Sequence, residues 1–577
     1  MGDVMKNCKF INELNRLRKS SSDSIDNVEK FDQFKSYMHV VRKMEEDLKG
    51  LLRKVNASGK KTLVLLCGSA GDGKSHLLSY LKNLDEEHLI DDYFVYNDAT
   101  ESSAPSKTAI ETLNEFLSDY RDENLASLGQ NVILAINLGV LSNFIDSKYA
   151  DHFCTLRKYI ENSDILTSRV NNNEYDCESN FQHISFSDYN LYSLSAEGIH
   201  ADYIEKLLEK VFIADEENLF YKTYSKECLN CSLAKKCPVK LNYDYMKDKK
   251  RQRFVAELLV KTIIQDKMIL TTREILNFIY DIIVSPRFSV NHFHNLCIDN
   301  SAYLKEFVKQ ITPALLFESA DITALMNMLK RHDPLLLRSE EADEAAVSYY
   351  VSSNVSQEIK RVFENSPYYS VICDDNMLEK INTDKTIKAN FYSLVARMET
   401  LDKGMASEET YKNYLQDLYW YNSGMFRKLN RVYALVEKAV MQWCNGDEEG
   451  NCCLEKRGGF SLYEKIEMVP KAENVPYLEE KEELQRFIPS ITVAFEGKNE
   501  EKNKLDIDYS LYELLDKLNR GYIQTANDRN NHAEFISFIN RILQTGSLDK
   551  TLTILSGNGT KASIAKRMFG YKFKVVK

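Results

Sequence analysis

The stretch that most limits what this chain can become is "VLLCGSAGDGKSHLLSYL", Val64 to Leu81. A short apolar run enters a glycine-rich turn, and a Lys-Ser pair opens a segment with helical apolar spacing. The turn reads G-x-x-x-x-G-K-S over Gly68, Ser69, Ala70, Gly71, Asp72, Gly73, Lys74 and Ser75, followed by His76. Glycines without Cβ let the backbone curl and aim its N–H groups inward. The N-terminus of the following helix adds partial positive charge. Lys74 can reach β- and γ-phosphates, and Ser75 can ligate Mg²⁺. Strand before and helix after are the context such a phosphate loop requires. Residues 68–76 are therefore the expected nucleotide-binding residues. The expected nucleotide is ATP: the N-K-x-D match at Asn503 to Asp506 lies far beyond the core strands that a guanine-selecting stretch would follow.

Further along, "YFVYNDAT" (93–100), "NVILAINLGVL" (131–141) and "FQHISFSDY" (181–189) read as strands, with helical segments between them. Strand and helix in alternation predict a parallel α/β sheet. The expected fold is an α/β P-loop NTPase core, AAA+- or STAND-like, with largely helical N-terminal, lid and middle regions and a mixed α/β C-terminal domain. The expected segments are an N-terminal helical region (1–60), the core (61–200), a cysteine-bearing insert and lid (201–290), a helical domain (291–455) and the mixed domain (456–577). "SITVAF", "TLTILSG" and "YKFKVVK" read as strands of the last, and "EGKNEEKNK" (496–504) as a solvated hairpin tip. No fixed-period repeat is visible, which counts against a STAND-type sensor array.

Hydrolysis needs more than a cradle. P-loop enzymes hold the Mg²⁺ shell with an acid at the end of another core strand. "NVILAINLG" offers Asn137 instead, which can hydrogen-bond a metal-bound water but carries no charge. Asp98 and Glu101 in "YNDATES" are the candidate displaced carboxylates, and helix capping is their plainer reading. Asp188 is a weaker candidate. In "TTREILNFIYDIIV" (271–284), Arg273 stands in a first helical turn, where a cation opposes the dipole. A lid arginine reaching the γ-phosphate would explain it, and so would a salt bridge.

"KECLNCSLAKKCPVKLNY" spaces Cys228, Cys231 and Cys237 as C-x2-C-x5-C-P. Cys-x2-Cys lets two thiolates grip one tetrahedral ion. The expected metal is one structural Zn²⁺, with Cys177 as the candidate fourth ligand and Cys154 or a histidine weaker choices. An iron–sulfur cluster and a metal-free surface knuckle are the alternatives. Lys235, Lys236 and Lys240 beside the cluster, and the basic run "MKDKKRQRF" (246–254), read as DNA contacts or as solvated faces, the latter favoured for the run.

Bulk properties narrow the class. Over 577 residues, 75 basic and 86 acidic side chains give a net charge of −11, which excludes a generally basic nucleic-acid coat protein. No run of 18 apolar residues exists, so no membrane span is expected. "MGDVMKNCKF" lacks a signal peptide's apolar region, and Lys6 stands where a myristoylation site wants Ser or Thr. With 12 scattered cysteines, the expected location is the reducing cytoplasm.

An ordered set of segments runs through the chain: "FDQFKSYMHV", "LLCGSAGDGKSHLLSYLKN", "YNDATES", "CPVKLNY", "TTREILNFIYDIIV" and "IDYSLYELLDKLNRGY". With these the chain resembles the DptF family of bacterial DNA phosphorothioation-dependent restriction proteins. The resemblance implies an anti-phage restriction subunit acting with DptG and DptH on DNA that lacks the backbone sulfur mark. The family's loop maps onto Gly68 through Ser75 without departure. Asn137 departs from the general P-loop ATPase pattern. No nuclease motif stands out, so the resemblance leaves any cleavage to a partner.

Overall fold

The structure is a computed structural model. It describes residues 8–19, 33–69, 71–97, 108–167, 170–171, 173–290, 293, 300–319, 322–336, 340–404, 409–446, 450–471, 482–497, 502–545, 551–557, 559–567 and 570–576. The chain divides into two units, Met1–Ser193 with His200–Ala406, and Leu194–Ile199 with Ser407–Lys577.

In the first unit, α1 (Lys9–Leu14), α2 (Arg16–Lys19), α3 (Gln33–Met38) and α4 (Lys43–Ser58) precede a four-stranded parallel sheet. Its strands are β1 (Leu63–Cys67), β2 (Tyr93–Tyr96), β3 (Asn131–Ile136) and β4 (Phe181–Ser185), in the order β2-β3-β1-β4. β1 is central, pairing Leu63 with Val132 and Phe181 and Cys67 with Ile136 and Ser185. Every residue of β1 is buried because both faces are covered. Period-two alternation sends Val64 and Leu66 to the layer built with Leu48 and Leu52 of α4 and Leu78 of α5 (Lys74–Asn83). Leu63, Leu65 and Cys67 face the opposite layer. That layer comes from α6 (Ala109–Phe116), α7 (Leu138–Ile145) and α8 (Cys154–Asn162), through Leu113, Leu141, Phe144 and Leu156.

Two strand ends differ from the sequence expectation. The third strand stops at Ile136, because the Asn137 side chain accepts from Gly139 N–H at 2.9 Å and starts α7 there. The fourth stops at Ser185, where a single 3₁₀ turn, Phe186–Asp188, follows. Asp188 accepts from the Asn171 N–H at 2.9 Å, which fastens it to the segment that leads into β4.

The helices that follow are α9 (Asp202–Phe212), α10 (Leu219–Glu227), α11 (Pro238–Tyr245), α12 (Lys249–Asp266) and α13 (Thr272–Asp281). Asn242 of α11 is fully buried, and its amide joins three segments of this region. Its Nδ2 donates to the carbonyls of Ile283 and Gln310, and its Oδ1 accepts from Thr312 N–H and the Tyr368 hydroxyl. All four hydrogen bonds available to the amide are made, so the burial costs little. The basic run 246–254 lies on the solvated-face side of its two readings in part only. Lys249 pairs with Glu209 at 2.5 Å, while Arg251 is buried over the Tyr245 ring and bonded to Asp402. Further helices reach Lys385–Lys403.

The second unit pairs helices with antiparallel sheets. Helices Glu409–Asn422, Asn430–Trp443, Tyr509–Asn519 and Ala533–Thr545 belong to it. A five-stranded sheet runs, in spatial order, Gly570–Val576, Lys561–Arg567, Thr551–Ser556, Phe460–Lys465, Asn451–Arg457. Its first hairpin turns on Gly458 and Gly459, at φ +56 and +81. The charged stretch 496–504 runs from the strand Ile491–Glu496 to its antiparallel partner Lys502–Ile507, and the expected tip, 498–501, lies outside the described residues. Among the described residues no helix is long and apolar enough to cross a membrane.

Candidate functional site

The glycine-rich loop leaves the C-terminal end of β1 and closes at the first turn of α5. Gly71 and Gly73 hold φ of +88 and +96, values that L side chains rarely adopt. Gly68 is required for a different reason. A Cβ there would stand 2.8 Å from Asp72 Oδ2 and 2.9 Å from Phe186 Cβ. The Gly68 N–H donates to Ile136 O at 3.2 Å, fastening the loop to the end of β3. Asn137, the next residue, therefore stands at the mouth of the loop, although its carboxamide caps α7. Ala70, Asp98 and Glu101 lie outside the described residues.

The loop's polar groups are turned on one another. Lys74 Nζ donates to Ser69 O at 2.7 Å, and the Ser69 N–H donates to the Asp72 carboxylate. An ammonium and an inward N–H are the groups an anion would take. Burial pushes the Asp72 carboxyl above the usual carboxylate range. The charge of Lys74, the Ser69 N–H and the charge of Arg42 pull it back, in that order.

Arg42 is a functional candidate that the sequence reading missed. It immediately precedes α4, its guanidinium lies 5.0 Å from the Tyr203 ring centroid, and its charge reaches Asp72. The signal was available, since a cation at the start of α4 opposes the dipole as Arg273 does in α13. The Tyr203 hydroxyl in turn lies 2.9 Å from Thr272 Oγ1, so α4, α9 and α13 converge beside the loop.

α13 carries the lid expectation. Thr271 and Glu274 form a capping box at its start, with Thr271 Oγ1 accepting from the Glu274 N–H. A Cβ on Gly71 would lie 3.1 Å from Thr271 Cγ2. The N-terminus of α13 thus rests on the loop, and Arg273 stands two residues beyond the point of contact.

His76 turns the other way. Its ring is partly buried, with Nε2 3.1 Å from Nδ1 of His39. His39 stacks on Tyr80 at 3.8 Å, and its Nε2 lies 3.1 Å from Glu45 Oε2. Glu45 pairs with Lys49, and Lys49 with Asp85. Burial, followed by the charge of His39, lowers the His76 pKa to about 4. At neutral pH the imidazole is an uncharged wedge between the α3–α4 connection and the loop helix.

Neither a family model, nor a curated protein, nor a solved structure matches this chain. The site is therefore read from its own chemistry. A loop with two glycines at positive φ, one lysine at a helix start and one arginine nearby can bind a polyphosphate. Ser75 stands at the position that reaches a bound Mg²⁺.

The cysteines form a separate locus. Cys228 ends α10 and Cys237 precedes α11, with Cys231 on the turn between them. Cys177 lies in the segment that leads into β4, where its carbonyl accepts from Lys60 Nζ at 3.3 Å. Lys236 and Lys240 are engaged locally: Lys236 lies 5.3 Å from the Tyr303 ring centroid, and Lys240 pairs with Asp244 at 2.6 Å.

Proposed function

We propose that the chain is the ATP-binding subunit of a bacterial DNA restriction assembly, the role implied by its resemblance to the DptF family. The observation that carries nucleotide binding is the loop itself. It joins a buried parallel strand to a helix on two positive-φ glycines, with Lys74 at the helix start. Mg²⁺ would be held by Ser75 and the phosphates, and it would supply neutralisation of the charge that develops on them. Arg42 and the α13 start flank the same loop and are suited to sensing whether a γ-phosphate is present. The restriction role, DptG- and DptH-like partners and action on DNA lacking the sulfur mark rest on the ordered sequence segments.

A second reading, a nucleotide-gated scaffold with little hydrolysis, draws on one specific observation. β3, the strand beside β1, is followed by Asn137, whose side chain caps α7. A carboxylate for the Mg²⁺ shell would then come from beyond β2, two strands or about 10 Å away from β1 in the sheet. Asp98, two residues after β2 in the sequence, is the candidate for that carboxylate. Asp98→Asn or Glu101→Gln would lower ATP turnover with binding intact if the first reading holds.

Calorimetric titration with ATP and Mg²⁺ tests the shared core of both readings. Lys74→Ala is expected to abolish tight binding, and unchanged affinity would refute it. In cells whose sulfur-modification genes are deleted, the wild-type chain with its partners is expected to provoke a DNA-damage response. Lys74→Ala is expected to abolish that response. An equal response without the partners would refute the subunit role.

A further inference from the structure

We propose that Cys8, Cys228, Cys231 and Cys237 bind one structural zinc ion, with Cys8 of the N-terminal segment as the fourth ligand in place of Cys177. Three helix ends meet here. Cys8 immediately precedes α1, Cys228 closes α10 and Cys237 immediately precedes α11. α1 lies against both other helices. The Phe10 ring meets Tyr224 of α10 at 5.6 Å and Tyr243 of α11 at 5.1 Å, edge to face. The sequence neighbours of two of the cysteines are themselves paired, Lys9 Nζ to Glu227 Oε1 at 2.8 Å.

The short segment between α10 and α11 is wound back on itself. The Cys231 N–H donates to Cys228 O, the Ala234 N–H to Cys231 O and the Lys236 N–H to Leu233 O. That winding returns Cys237 towards Cys228. Cys177 belongs instead to the segment that leads into β4, where Lys60 Nζ donates to its carbonyl at 3.3 Å.

Four soft thiols carried on three adjoining helix ends and the turn between two of them are a ligand set suited to a divalent ion. Zinc takes four thiolates tetrahedrally at ~2.3 Å, and its charge deprotonates them on binding. The thiols stand as free cysteines, and among the described residues no group of three His, Cys, Asp or Glu side chains is placed to hold a metal ion as the side chains stand. The α1 contacts set the helix ends side by side, and rotation about χ1 between staggered wells is the movement that would close the thiols on an ion. No open-site His or Glu accompanies the set, so the ion is structural. It would clasp α1 onto α10 and α11. The proposal is independent of the nucleotide reading.

The test is elemental analysis of the full chain, purified without chelator from zinc-supplemented medium, beside single Cys8→Ser and Cys177→Ser variants. About one zinc per chain is expected in the wild type and in Cys177→Ser. Cys8→Ser is expected to lose its zinc to a chelator that leaves the wild type loaded. Cys8→His, which restores a zinc ligand, is expected to recover it. Cobalt loaded into the wild type is expected to show the visible spectrum of a four-thiolate tetrahedral site, a readout that holds even if Cys8→Ser does not fold. Iron in place of zinc, neither metal, a three-thiolate cobalt spectrum, or zinc retained in Cys8→Ser and lost in Cys177→Ser would each overturn the proposal.

Discussion

Replacing Gly71 by Ala strikes the contact between the glycine loop and α13 at a defined atom. Two penalties are expected, and they separate. The first is conformational: at φ +88 an alanine is strained, by roughly 1–2 kcal/mol for a left-handed L-residue. The second is steric: the new Cβ would lie 3.1 Å from Thr271 Cγ2 and 3.3 Å from Thr271 Cβ. Overpacking of this kind costs about 1 kcal/mol or more. Thr271→Ser deletes Cγ2 alone and keeps the hydroxyl that accepts from the Glu274 N–H, so the capping box survives. In the Thr271→Ser background, Gly71→Ala is expected to cost about 0.5–1 kcal/mol less than in the wild type. The conformational part remains. The four proteins would be compared by denaturant unfolding and, in parallel, by ATP titration. Additivity to within about 0.3 kcal/mol in both measurements would refute the contact and the link from loop to lid helix.

Other expectations follow from the same geometry. Asp72→Asn keeps an acceptor for the Ser69 N–H and removes a negative charge from the loop. Two unit charges about 5 Å apart repel by ~3 kcal/mol at an effective dielectric of 20, and screening with Lys74 nearby leaves about 1 kcal/mol. ATP affinity by calorimetry should therefore rise about fivefold, and unchanged or weaker binding would count against the loop geometry. His76, facing His39, Glu45, Lys35 and Tyr80, gives a pH dependence whose sign is fixed. Its folded pKa of about 4 lies below the unfolded value near 6.5, so the unfolded chain binds the extra proton between them. Stability is then full above about pH 6.5 and falls as the pH drops towards 4, with about 2 kcal/mol lost between pH 7 and pH 5. Glu45, whose carboxyl is held below its ordinary range, loses stability in the same direction at still lower pH. Urea unfolding at the two pH values should show this, and His76→Gln should flatten it. Equal slopes for the two proteins would refute the assignment.

What the sequence disclosed, and what it did not, divides by range. The loop and β1 were legible because their signals lie within one short window: an apolar run, three glycines and a lysine. The end of β3 was overrun because "NLGVL" stays apolar after Ile136. Only the Asn137 cap marks the change from strand to helix, and an asparagine inside an apolar run is a faint mark. The partner of His76 could not be read, since His39 lies in the connection between α3 and α4 and reaches the loop helix only through tertiary packing. Cys8 was hidden for the same reason. Spacing rules act along the chain, and its neighbours at Cys228 and Cys237 are brought to it by Phe10, Tyr224 and Tyr243. The buried amide of Asn242 was quoted within a motif, yet its four partners come from Ile283, Gln310, Thr312 and Tyr368, which no local pattern connects.

The Lys9–Glu227 pair spans 218 residues of sequence. During synthesis α1 emerges first and its partner helices emerge last among the elements it touches. At about 5–20 residues per second, the apolar face of Phe10, Ile11 and Leu14 waits roughly 10–40 s before α10 and α11 leave the ribosome. The parallel sheet, complete by Ser185, can form in that interval without it. α1 is thus made first and docked late, with its apolar face open to chaperones while the rest of the first unit is being translated.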